Sequence, residues 1–72
     1  MPSYSIQELC KMTHKELIRR EHLENIDAKI LENILNYILP NSWKGRKQLI
    51  VKNMIDANFL KIDDDGIFEV IV

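Results

Sequence analysis

The residues in this 72-residue chain whose types could do chemistry are two histidines, one cysteine, a run of aspartates and a basic cluster. His14 and His22 lie eight residues apart, with Glu16, Glu21 and Glu24 near them. Histidines four apart share one helix face and suit metal ligation; a spacing of eight, with a break between, does not. Both are expected as half-exposed helix residues. Cys10 falls on an apolar stripe with Ile6, Leu9 and Leu17, the setting of a small buried hydrophobe rather than of a nucleophile. Asp63, Asp64 and Asp65 are consecutive. Side chains alternate along an extended run, so three in a row cannot converge on one ion. An EF-hand loop needs alternate-position ligands and a distal glutamate, which this run lacks. It reads as a solvated hairpin tip. The chain has two glycines, no glycine-rich phosphate loop and no acyl-transfer constellation. No enzyme activity, catalytic residue, metal ligand or cofactor is therefore expected.

The basic cluster points elsewhere. Trp43, Lys44, Arg46 and Lys47 gather where a turn hands over to a helix. The free N–H groups and positive dipole end of a helix start favour an anion, and added cations make a phosphate-contacting surface. Lys44, Gln48 and Lys52 are four residues apart, which extends the basic character along an exposed row. The whole-chain charge of −1 conceals this. Residues 40–61 carry five basic side chains against one acidic, and residues 62–72 carry four acidic and none basic. A +4 block thus runs directly into a −4 block.

The elements that must position these residues follow from period and punctuation. Ser5-Ile6-Gln7-Glu8 and Thr13-His14-Lys15-Glu16 both match the S/T-x-x-E capping pattern. Two start signals predict two short helices with a break near Met12-Thr13; one helix from Ile6 to about Leu23 is the alternative. Arg20 favours the break, because one straight helix would point it into the apolar stripe. The next helix is capped by Asp27 (or Asn25) and runs to Leu39, where Pro40 stops it. Ile26, Ile30, Ile34 and Ile38 form one row of it, with Leu31, Leu35 and Leu39 beside them. Pro40 to Gly45 is a turn by composition, followed by a helix from about Arg46 to Ala57 that buries Leu49, Ile50, Met54 and Ile55. From Phe59 the period changes to two, and the run on either side of Asp65-Gly66 predicts a β-hairpin over 58–72.

The fold class is α+β, mainly α: three to four helices and a C-terminal hairpin in one small domain, helical body 5–57 and hairpin 58–72. Its length is near the lower limit for a single unstapled core, and 46% apolar content suits a globular chain. One cysteine allows no internal disulfide. No basic leader with an apolar run is visible, and no apolar run approaches the ~20 residues of a membrane span. The expected setting is the cytoplasm or nucleus.

From Asp27 to Val72 the chain resembles the tail of a winged helix-turn-helix domain. The likeness lies in the order helix, turn, helix, strand, short wing, strand, and in a helix leaving through Asn58-Phe59-Leu60-Lys61-Ile62 into the wing Asp63-Asp64-Asp65-Gly66. The resemblance implies that the helix beginning near Gly45 enters the major groove of DNA. Ser42, Trp43, Lys44, Arg46 and Lys47 would then contact phosphates and base edges, with Gln48 and Lys52 next along. It implies a small transcriptional or replication regulator whose partner is double-stranded DNA and whose acidic wing is held off the duplex. The alternative on the same scaffold is a protein-interaction module, an inhibitor or adaptor subunit, anchored by Trp43. The apolar C-terminal strand, Ile67 to Val72, adds the expectation of a homodimer paired through that edge. The alternative for that strand is ordinary core packing on one face, with Phe68 and Val70 partly exposed on the other.

Overall fold

A computed structural model of the protein describes residues 4–72. Helix α1 (Ile6–Arg19), helix α2 (Ala28–Ile38), a 3₁₀ helix (Asn41–Arg46), helix α3 (Lys47–Asp56) and strands β1 (Leu60–Ile62) and β2 (Phe68–Val70) follow in order. The mainly helical α+β class with a C-terminal hairpin is as the sequence predicts.

Helix α1 is the hub. Ser5 caps it, its hydroxyl oxygen accepting from the Glu8 amide at 3.1 Å. There is no break at Met12-Thr13. Thr13 is fully buried inside α1, and its hydroxyl donates to the Leu9 carbonyl at 2.8 Å. A threonine satisfied one turn back within a helix has no role as a cap. Glu16, the partner expected to reach back to Thr13, instead binds forward to Arg19 and Arg20. The objection from Arg20 also disappears, because α1 ends at Arg19 and Arg20 is its C-cap. The helix closes in a Schellman pattern: the His22 amide donates to Leu17 and that of Glu21 to Ile18, with Glu21 at φ 61°.

Asp27 caps α2, its carboxylate accepting from the Ile30 amide at 2.8 Å. Leu31, Ile34, Leu35 and Leu39 are buried, whereas Ile30 and Ile38 are only half-buried. Ile26 is buried but precedes the helix. Its amide donates to the Phe68 carbonyl at 3.0 Å and its carbonyl accepts from the Phe68 amide at 2.7 Å. The supposed turn after Pro40 winds as the 3₁₀ helix and runs straight into α3. Of the four residues expected to be buried by α3, Ile50 and Met54 are; Ile55 is half-buried and Leu49 is exposed. The buried pair, Ile50 and Met54, lies one turn apart on the same face of α3, and Leu49 lies off that row.

The hairpin pairs Leu60 with Val70, Lys61 with Glu69 and Ile62 with Phe68. Gly66 takes φ 78°, the left-handed conformation its turn position requires. On the other side of β2, beyond the Ile26 bridge, the Val70 amide donates to the Leu23 carbonyl at 2.7 Å. Strand β2 therefore lies between β1 and the Leu23–Ile26 segment, with both edges engaged. This corrects two expectations. Phe68 and Val70 are buried, since their face closes the core. A homodimer paired through β2 has no open edge to use.

Candidate functional site

Every residue of the predicted basic site lies on the 3₁₀ helix or α3. Ser42, Lys44, Arg46, Gln48 and Lys52 are exposed, and Trp43 and Lys47 are half-buried. Trp43 packs against the core on one side, and on the other the Arg46 guanidinium stands 5.4 Å from its ring centre. That cation–π contact restrains the exposed Arg46 side chain against the Trp43 ring.

The basic block is reduced by pairing inside the molecule. Lys47 reaches Glu32 on α2, Nζ to Oε1 at 3.5 Å, and Lys61 reaches Glu69 across the hairpin at 3.0 Å. Lys44, Arg46 and Lys52 form no ion pair among the described residues. No side chain caps the first turn of α3, which continues directly from the 3₁₀ helix.

Lys44, Lys47, Gln48 and Lys52 come together on the rim of a groove of about 840 Å³ between α2 and α3. Its α2 wall is the stripe Ala28, Leu31, Glu32 and Leu35; its α3 wall continues through Val51, Ile55 and Asp56, and Phe68 closes one end. Ser42, Trp43 and Arg46 lie outside this groove. Sequence reasoning missed Glu32, Val51 and Ile55. The signal was present for the last two, which share a face with Lys47, Gln48 and Lys52 at helical spacing; the sequence reading places Ile55 in the core and gives Val51 no role. The pairing of Glu32 with Lys47 needed the fold.

No protein-family profile, curated protein or solved structure matches the chain. Its site has to be read from its own geometry.

His14, Glu16, Cys10 and Asp63 have structural partners. His14 donates from Nε2 to the Ile71 carbonyl at 2.8 Å and stacks on Phe59, ring centres 4.6 Å apart, which fastens the hairpin base to α1. Glu16 accepts two bonds from Arg19 and one from Arg20, whose guanidinium stands 4.8 Å over the Tyr37 ring on α2. The Arg19 hydrogen bonds, helped by Arg20, hold the Glu16 carboxyl down at about 2. Cys10 is buried, its thiol directed at the Ile50 carbonyl, and burial pushes its pKa up, away from nucleophilic use. At the hairpin tip the Asp63 carboxylate accepts from the Asp65 and Ile67 amides, while Asp64 and Asp65 face solvent. Among the described residues no group of three or more His, Cys, Asp or Glu could hold a metal ion, and no helix is long and apolar enough to cross a membrane.

Proposed function

We propose that this chain is a small DNA-binding regulator of the winged helix-turn-helix type. In this reading Lys44, Arg46 and Lys52 contact phosphates and Gln48 faces base edges. The observation that carries the reading is the exposure of these four side chains along one continuous run of backbone. None of the three cations is held in an ion pair among the described residues. The order of elements from α2 onward supports it, as does the placement of charge along α3. Lys44 and Arg46 stand just before its N-terminal end, the part of a recognition helix that approaches the bases, and Lys52 lies midway along it. The acidic tip follows its C-terminal end, after a ten-residue helix of about 15 Å. In this reading the duplex is gripped at the N-terminal end and the acidic tip is held off its backbone.

The test is binding to duplex DNA, followed by fluorescence anisotropy across a salt series. Three neutralised phosphates give a slope of about −3 in log affinity against log salt. Lys44→Gln and Lys52→Gln should each lower that slope by about one. No affinity at low salt, or affinity indifferent to salt, overturns the reading.

A further inference from the structure

The groove between α2 and α3 has a composition that phosphate contacts do not use. Val51 and Ile55 are half-buried on its α3 wall, facing the α2 stripe. Both helices are seated on α1, and this leaves the space between them open. We infer that the groove is a docking site for an amphipathic helix of a partner protein whose polar flank carries Asp or Glu.

Shape argues for a helix. Each wall is a helix presenting residues at three- and four-residue spacing, the ridges into which a third helix packs. A strand would find no partner, because the backbone groups of both walls are bonded within their own helices. Charge argues for acidic flanks. Lys44 and Lys52 stand free on the rim, and the Lys47–Glu32 contact is long at 3.5 Å, so Lys47 can exchange that partner for an incoming carboxylate. Asp56, at the far end, sets a direction: the occupant's acidic residues lie towards the 3₁₀ helix. The inference goes beyond DNA contact, since apolar walls add nothing against a phosphate backbone.

Two designed helical peptides of the same length test it. Both carry leucines along one face; one has glutamates on the flanks and the other lysines. The whole protein, labelled at its methyl groups, is titrated with each and followed by NMR. The glutamate peptide should bind at least about tenfold tighter, with shifts centred on Val51, Ile55 and Leu31. Ala28→Trp fills the groove from an exposed position without changing charge. It should abolish peptide binding and leave duplex affinity unchanged. Val51→Ser, a milder change on the opposite wall, should weaken the peptide about tenfold while preserving the circular-dichroism spectrum. Equal binding of the two peptides, shifts centred elsewhere, or full affinity in Ala28→Trp overturns the inference. The duplex titration reports separately on the DNA reading.

Discussion

Single residues here divide by what their polar atoms are bonded to. The aspartates at the hairpin tip show it best. Asp63 accepts two backbone amides and so builds the turn, whereas Asp64 and Asp65 direct their carboxylates to water. Asp63→Ala should cost about 1–2 kcal/mol in urea unfolding, and the same change at Asp64 or Asp65 no more than about 0.5. The sequence places all three at a tip, but only geometry separates the first from the others. Glu16 is a second case. Its carboxyl ordinarily titrates near 4.5 and is held at about 2 in the fold. A folded value below the unfolded one means that the stabilisation is fully present above about 4.5. It is lost as pH falls from there towards about 2. Melting temperatures followed through that window should fall more steeply for the native chain than for Glu16→Gln. Equal slopes would remove Glu16 from the account. Nothing in the spacing of Glu16 distinguished this pairing from a cap on Thr13, because both use residues within one turn.

The elements were legible where a local signal had no rival. Ser5, Asp27 and Gly66 each do what their type and position predict. Thr13 did not, because burial decides between cap and interior, and burial depends on packing far away in sequence. Its hydroxyl is already satisfied by Leu9, so Thr13→Val should change stability by less than about 1 kcal/mol. A capping threonine would cost more. Ile26 was assigned to the α2 row because its spacing fits, but the Phe68 backbone holds it outside the helix. The end of α1 offers a gain. Glu21 sits at φ 61°, where an L side chain costs about 1–2 kcal/mol and glycine does not. Glu21→Gly should therefore raise stability by a few tenths to about 1 kcal/mol, read as a higher urea midpoint with an unchanged m-value.

At the scale of the whole molecule, stability and charge are organised around different axes. Leu9 and Leu17 on α1 are fully buried, and α1 is packed by α2, α3 and β2. Removing either side chain to alanine should cost about 2–5 kcal/mol. A domain of this size holds only about 4–11 kcal/mol in total, so either variant should be largely unfolded well below the native midpoint. Charge runs along α3 instead, from free cations at one end to aspartates past the other. The sequence displayed this as two adjacent blocks. It did not display the cancellation of Lys47 and Lys61 by Glu32 and Glu69, which decides how many cations a ligand meets.

The central position of β2 sets an order of events for the folding chain. Its ladder with β1 closes a short loop and can form locally. Its other edge reaches back to Ile26, a closure of about 40 residues that carries a larger entropic cost and comes late. The amides of Ile26, Phe68 and Val70 are therefore the last to lock and, along the same path in reverse, among the first of the ladder to open. In hydrogen exchange they should be released by an opening of this edge that leaves α1 packed, while the Asp64 and Asp65 amides a few residues away exchange through local fluctuation. One short strand thus joins an early closure to a late one.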